Sequence, residues 1–250
     1  MKKLITIAVI IFIGLGCAVL AEPNYSLSRY NYSTPADYEY NRKETTDSRE
    51  KVLFILDLSN SMNERIGGRT KLDIAISTLK EILKQIPPKA EVGFRVYGHK
   101  TGFTPRQGCV ASQLLSPIAA DNALNIYAKL GSLSAVGWTP ITYSLKQAVY
   151  FDFPQGDYTK RIILISDGGE NCDESPCEYI INLMRYREDI RIDVIALAIG
   201  DQDANNQLKC VALVTSGKFY NANDASELKD SLQDSLNLQK EVSGVIIQGM

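Results

Sequence analysis

Two apolar runs, each cut off by a carboxylate, restrict this chain more than anything else in it. Val52-Leu53-Phe54-Ile55-Leu56 stops at Asp57, and Ile162-Ile163-Leu164-Ile165 stops at Ser166-Asp167. Neither run alternates polar with apolar residues, and both are dominated by branched side chains. Each is therefore expected to be a strand buried on both faces, as happens in a parallel sheet covered by helices on either side. The segments around them have helical spacing. Thr70-Lys71-Leu72-Asp73 reads as a capped helix start, followed by a stripe of Leu72, Ile76, Leu79, Leu83 and Ile86 and stopped by Pro87-Pro88. Residues 92–98 alternate as a second strand, with a short strand near 113–116 and a helix over 121–130. Pro140 sits at the first turn of a helix carrying Ile141, Leu145 and Ala148. Ser175-Pro176-Cys177-Glu178 is a capping box for another. Residues 192–199 and 217–220 read as strands and 203–214 as a helix. Asp224-Ala225-Ser226-Glu227 caps a last helix bearing Leu228, Leu232 and Leu236. The fold class is α/β: a doubly wound, mostly parallel central sheet flanked by helices, Rossmann-like in its layering.

Composition removes some functions and leaves others open. A chain of 250 residues with 45% hydrophobic content has enough material for one well-buried domain with accessory segments. Its formal net charge of -2 supplies no excess of Lys and Arg for phosphate, so no nucleic-acid partner is expected. The start of the chain points to export. Met1-Lys2-Lys3 precedes an apolar run to Leu20, and Val19-Leu20-Ala21 offers small residues before Glu22-Pro23. Residues 1–21 are read as a signal peptide or membrane anchor, with a lipidated Cys17 as a weaker variant because Gly14 stands where a leucine is usual. Residues 22–50 are a tyrosine-rich polar linker, 51–238 the folded domain and 239–250 a tail. The expected location is periplasmic or extracellular, with possible attachment to the membrane through the N-terminus. Setting Cys17 aside, Cys109, Cys172, Cys177 and Cys210 make an even number suited to two disulfides in an oxidising compartment. Their spacing matches no familiar zinc site, and the lone His99 adds no second nitrogen ligand.

The strand ends carry the chemistry. In Asp57-x-Ser59-x-Ser61 a carboxylate and two hydroxyls at alternate positions converge on one turn, and hard oxygens of this kind suit Mg²⁺, or Mn²⁺ or Ca²⁺, better than zinc. A capped strand end with turn-forming serines reads the same way from these residues alone. Asp57 and Asp167 both close strands, where ligands of doubly wound sheets collect, and as strand-end residues they are expected on the solvent-facing rim. An enzyme using Asp57 for phosphoryl transfer, of the haloacid dehalogenase type, wants a second aspartate two residues on, where this chain has Ser59. A serine hydrolase lacks its Gly-x-Ser-x-Gly, and only His99 could serve as base. No catalytic set is assigned, and a structural domain with an empty site stays open beside the binding reading.

Three separated segments, Asp57-x-Ser59-x-Ser61, Gly137-Trp138-Thr139-Pro140 and Ser166-Asp167-Gly168, resemble in order and spacing the metal-ion-dependent adhesion site of von Willebrand factor A domains. The resemblance runs from Lys51 to Leu236, and Tyr97-Gly98-His99 with Gly168-Gly169-Glu170-Asn171-Cys172 looks closest to exported bacterial members. It implies that Ser59, Ser61 and Thr139 ligate a cation through hydroxyls, while Asp57 and Asp167 hold its waters or bind it directly. Such an ion keeps much of its charge, so the implied partner is a protein offering an Asp or Glu carboxylate. Gly168 and Gly169 would let the backbone pass close to the ion. Trp138 would either anchor a partner or pack over its loop. Three disulfide pairings are open; the sheet order usual in that family favours Cys109–Cys172 with Cys177–Cys210 over a local Cys172–Cys177 loop.

Overall fold

The computed structural model describes residues 50–153 and 158–238. The signal or anchor segment with Cys17, the linker up to residue 49 and the tail lie outside the described residues. In chain order the elements are β1 (Lys51–Asp57), a small hairpin of β2 (Arg65–Ile66) and β3 (Arg69–Thr70), α1 (Lys71–Leu83), β4 (Glu91–Tyr97), a single turn α2 (Pro105–Gly108), β5 (Ser112–Ala119), α3 (Ala123–Lys129), α4 (Ile141–Gln147), β6 (Lys160–Ser166), α5 (Pro176–Leu183), β7 (Ile190–Leu197), α6 (Gln202–Val214), β8 (Phe219–Ala222) and α7 (Ala225–Ser235).

Six of these strands form one sheet in the order β5-β4-β1-β6-β7-β8. All neighbours are parallel except β5, which runs antiparallel to β4. From β1 the chain works outward through β4 to β5, then returns to the other side of β1 and works outward again through β6, β7 and β8. Strand order therefore reverses between β1 and β6, and the crevice above their carboxyl ends is where such sheets take ligands.

The unbroken apolar runs serve two faces at once. Val52, Phe54 and Leu56 join the layer made with Leu72, Leu79 and Ile82 of α1, Ile126 of α3 and Leu228 and Leu232 of α7. Leu53 and Ile55 join Ile141 and Leu145 of α4, Ile180 of α5 and Leu208 and Val211 of α6 on the opposite face. Caps fix where the helices begin. Thr70 Oγ1 accepts the Asp73 N–H at 3.0 Å, Ser175 Oγ that of Glu178 at 3.3 Å, and Asp224 Oδ1 those of Ser226 and Glu227 at 2.8 and 2.9 Å. Asp201 caps α6 through the N–H groups of Asp203 and Ala204, so that helix starts slightly ahead of its expected first residue.

Three local expectations shift. Ile76, placed on the α1 stripe, is only half-buried, and Ile74, Ala75 and Ile82 fill the core instead. The strand expected to end near 116 continues through Pro117 to Ala119, which a proline permits because β5 lies at the edge of the sheet. Arg95, in a strand that alternates in sequence, is buried: its Nε and Nη2 reach the Asp152 carboxylate at 2.5 and 2.7 Å, and its Nη1 donates to Ser112 Oγ at 2.8 Å. Asp152 ends the π turn that follows α4, so this ion pair ties the second helical layer to β4.

Candidate metal centre

Asp57 ends β1 opposite Tyr97 of β4. Both are fully buried, so the solvent-facing rim expected for the strand-end aspartates is not where Asp57 lies. Three groups hold its carboxylate: the Ser59 N–H donates to Oδ1 at 2.7 Å, and Tyr97 Oη and Ser166 Oγ lie 2.9 and 2.6 Å from Oδ2. Burial raises the Asp57 carboxyl to about 6, the charge of Asp167 adds to the rise, and the hydrogen bonds from Ser166 and Ser59 work against it. Burial, with Asp57 beside it, also lifts the Tyr97 hydroxyl well above its ordinary value. Tyr97 thus stays a neutral donor that orients the carboxylate.

From Asp57 the chain turns so that Ser59 Oγ and Ser61 Oγ stand 3.0 Å apart, and Ser61 Oγ donates to Asp167 Oδ1 at 2.7 Å. Asp167 is also buried, with 5% of the residue exposed. Its second oxygen meets the Lys71 ammonium at 2.9 Å, and Lys71 also reaches Glu64 Oε2 at 2.6 Å. Burial pulls the Lys71 pKa down, but these two hydrogen bonds outweigh it and the ammonium ends above its ordinary value.

Thr139 is brought in by backbone pairing. Ser59 and Gly137 form a parallel bridge, with Asn60 N donating to Gly137 O at 3.0 Å and Val136 N to Leu58 O at 3.0 Å. This stacking of three loops leaves no room for side chains. A Cβ on Gly98, whose φ is +72°, would sit 2.6 Å from Trp138 O and 2.7 Å from Ser59 N; one on Gly137 would sit 2.5 Å from the Gly98 and Lys100 carbonyl oxygens. The loop after Asp167 then grips the Thr139 segment from the other side. Asn171 Oδ1 accepts the Thr139 N–H at 2.7 Å, and Glu170 accepts the N–H groups of Thr142 at 2.7 Å and Cys172 at 3.1 Å. Burial raises the Glu170 carboxyl, and those N–H groups draw it back.

Ser61, Thr139 and Gly168 line one cleft of about 420 Å³, closed on its far side by Asp201, Ala204 and Gln207 at the start of α6. A Cβ on Gly168 would meet only Ser61 Oγ, at 4.0 Å, whereas one on Gly169 would press Ala204 Cβ at 2.9 Å. The approach of α6 thus leaves Gly169 no room for a Cβ. Trp138 lays its indole edge against Gly108, where a Cβ would meet Trp138 Cδ1 at 2.3 Å, and keeps 37% of its surface exposed. The four described cysteines pair as Cys109–Cys172 and Cys177–Cys210, each with Cα atoms 5.5 Å apart, which leaves no thiolate for zinc among the described residues. The first bridge ties the loop under Trp138 to the loop after Asp167. His99 Nδ1 is buried with no hydrogen-bond partner among the described residues.

The donor set fits a hard divalent cation. Two oxygens on adjacent corners of an octahedron drawn at about 2.1 Å are about 3 Å apart, and the Ser59 and Ser61 hydroxyls stand 3.0 Å apart. The described residues hold no group of three or more His, Cys, Asp or Glu that could take a metal, so a cation here would be held by hydroxyls and water with two carboxylates behind them. Sequence reasoning named Asp57, Ser59, Ser61, Thr139 and Asp167 but not the partners that hold them. Tyr97, Ser166, Glu170 and Asn171 all lie in segments it had quoted. Lys71 gave no signal beyond standing at a helix start.

The model of the von Willebrand factor type A domain family matches residues 51–234. An uncharacterized protein of Bacillus subtilis (strain 168), YwmD, is 26% identical over 236 residues, spanning 92% of this chain and 96% of that one. Among solved structures, proximal thread matrix protein 1 from the mussel byssus, with a zinc-occupied MIDAS motif, superposes with a TM-score of 0.59 at 17% identity, covering 76% of this chain and 46% of that one. This chain thus spans about half the length of that matrix protein. The vWF domain of the type V pili tip protein Mfa5 from Porphyromonas gingivalis gives 0.54 at 15% identity, covering 78% of this chain and 98% of that one.

Proposed function

The chain belongs to the von Willebrand factor type A domain family, and on that footing we propose that it is an exported binding module whose partner is recognised through a divalent cation. Ser59, Ser61 and Thr139 supply the hydroxyls, and Asp57 and Asp167 stand behind them as carboxylates that hold coordinated water. Mg²⁺ is the first choice, with Mn²⁺ or Ca²⁺ as substitutes. The observation that carries this reading is the run of oxygens from Ser59 to Ser61 to Asp167 at 3.0 and 2.7 Å, set where strand order reverses. Neutral hydroxyls leave a bound ion with charge to spare, and a carboxylate from a protein partner would complete its shell. The carboxylates of Asp57 and Asp167 are taken up by the hydroxyls of Ser166 and Ser61 inside the centre, and binding rather than catalysis is the role proposed. Two disulfides, the Lys2-Lys3 start with its apolar run, and the zinc-occupied motif and pilus setting of the structural relatives support export and adhesion-like use. No described helix is long and apolar enough to cross a membrane, and any attachment is assigned to residues 1–21.

The test is calorimetric titration of Mg²⁺ and Mn²⁺ into the wild type and Asp167→Ala. Loss of one carboxylate of the site is expected to weaken cation binding about ten- to a hundredfold, and binding to an envelope extract is expected to fall with it and with EDTA. A wild type that binds no cation at millimolar concentration refutes the reading.

A pH series supplies a second check. With the Asp57 carboxyl at about 6, a cation must displace a proton from it at lower pH. Apparent Mn²⁺ affinity is expected to be flat above about pH 7 and about tenfold weaker at pH 5. Equal affinity at pH 5 and 7 would show that Asp57 takes no part.

A further inference from the structure

At the opposite end of β1 from Asp57, a run of contacts leads from the point where the linker joins the domain to a group of exposed aromatic rings. The ammonium of Lys51, the first residue of β1, lies 4.6 Å from the centre of the Tyr158 ring, and so does that of Lys160. Lys160 is paired with Asp189, and Arg187 Nε reaches the same carboxylate at 2.8 Å. The Arg187 guanidinium lies within electrostatic reach of the Tyr150, Tyr158 and Tyr179 hydroxyls. Tyr150 meets Phe151 edge-on with ring centres 6.4 Å apart, and Tyr186 stands next to Arg187 in the chain. Tyr150 is 50% exposed, Phe151 65% and Tyr186 75%. For the first two the exposure is built into the backbone. They lie in the π turn after α4, between Val149 in the core and Asp152 on Arg95, and with both neighbours held inward the two rings are left on the outside. Single π turns of this kind concentrate at functional sites.

The charges beside these rings are matched. Lys51 is paired with Glu91, Lys160 and Arg187 with Asp189, Arg161 with Glu50 and Lys146 with Glu174, while Arg185 and Glu188 add one charge of each sign around Tyr186. The corner therefore offers aromatic surface without a field of either sign. Tyrosine and phenylalanine rings among Lys and Arg suit the boundary between water and lipid, where the rings enter and the charged heads stay among the headgroups. The linker supplies the occupant. Residues 22–49 follow the apolar run that ends at Leu20 and join the domain at Glu50, at this corner. Whatever path they take, they span at most about 100 Å. A domain tethered so closely meets its own bilayer at an effective concentration of about 1 mM, at which a face of only millimolar affinity is docked about half the time.

We propose that this corner is a bilayer-docking face: with the apolar run before Leu20 held in the membrane, Tyr150, Phe151 and Tyr186 enter the headgroup region. This rests on the attachment through residues 1–21 and adds a second contact to it. The rings carry the docking, so it depends little on salt or on anionic lipid. Docked by this corner, the domain keeps the carboxyl ends of β1 and β6, with Ser59, Ser61 and Thr139, on the side open to a partner.

The experiment incorporates the full chain into phosphatidylcholine vesicles whose lipids are brominated near the headgroup, and reads the quenching of tryptophan. The wild type carries a single tryptophan, Trp138, at the cation end of the domain, and serves as the control. The reporter is Phe151→Trp in a Trp138→Phe background, with Tyr186→Trp in the same background as a second reporter. Flotation measures attachment and circular dichroism follows the fold. Both reporters are expected to be quenched severalfold more than Trp138, equally at low and high salt. Tyr150→Asp is expected to abolish the difference without changing flotation. A chain that floats while neither reporter is quenched more than Trp138 overturns the docking face and leaves the attachment standing. Reporters shielded instead in a dimer, seen by sedimentation in detergent, would assign the face to a second copy and overturn the proposal as well. A chain that does not float removes the attachment and this proposal together. Should one reporter variant fail to fold, the other decides.

Discussion

Replacing Asp57 by Asn is expected to stabilise the cation-free protein and to remove its cation binding in the same step. The buried carboxylate is raised from 3.8 to about 6, first by burial and then by Asp167. A carboxyl with a raised folded-state pKa contributes most favourably while it is protonated, below about pH 4, and that contribution is lost as pH rises through about 6. At neutral pH the gap between the two values corresponds to about 3 kcal/mol, an upper bound on what Asn restores. Asn keeps the shape, and its amide can donate to Tyr97 Oη or Ser166 Oγ, both of which can accept. Urea unfolding in EDTA should therefore show the two proteins alike near pH 4 and Asp57→Asn ahead by up to about 3 kcal/mol at pH 7. Mn²⁺ should reverse the order, since only the wild type gains from binding it. A variant less stable than wild type at pH 7 in EDTA would contradict the burial cost argued here.

Replacing Asp152 by Ala should cost about 3–5 kcal/mol, because it strands the guanidinium of Arg95 in a buried place. The side chains of this pair are 5% and 2% exposed. Arg95 also holds Ser112, which lies 2.9 Å from Ser144 of α4, so the loss reaches the helix that follows Thr139. Chemical denaturation measures the cost. The double variant Arg95→Met with Asp152→Ala should recover much of it, as removing both charges leaves neither unpaired. A cost below about 1 kcal/mol for the single change would mean that water reaches the pair.

Much of this was legible in the chain, and for specific reasons. An unbroken branched run such as 162–165 has few homes other than a strand covered on both sides, and Thr70, Ser175 and Asp224 advertise their helices through capping chemistry that is local in sequence. That Asp57, Ser59, Ser61 and Asp167 meet was legible because they stand at the ends of two strands that flank one switch point. What stayed hidden depends on contacts between distant segments. Lys71 finds Asp167 across 96 positions and Arg95 finds Asp152 across 57. Arg95 stands in Phe94-Arg95-Val96, whose alternation reads as a half-exposed strand, and only the packing of α4 and its π turn over that face shows otherwise. The burial of Asp57 was missed for a related reason. A strand end is a rim only if nothing stacks above it, and here the loops at Gly98 and Gly137 do.

The two disulfides have a consequence for how the molecule comes into being. Cys109 joins Cys172 and Cys177 joins Cys210, so the four cysteines of the domain pair in the order in which they occur, first with second and third with fourth. For a chain threaded across a membrane N-terminus first, as its proposed export requires, each early thiol meets its proper partner as the next one to emerge. An oxidant that joins successive thiols as they appear makes the native set directly. No wrong bridge has to be attacked and reshuffled by a free thiolate, the slower exchange that interleaved pairings demand. Maturation should thus proceed in a host that has a thiol oxidase but lacks a disulfide isomerase.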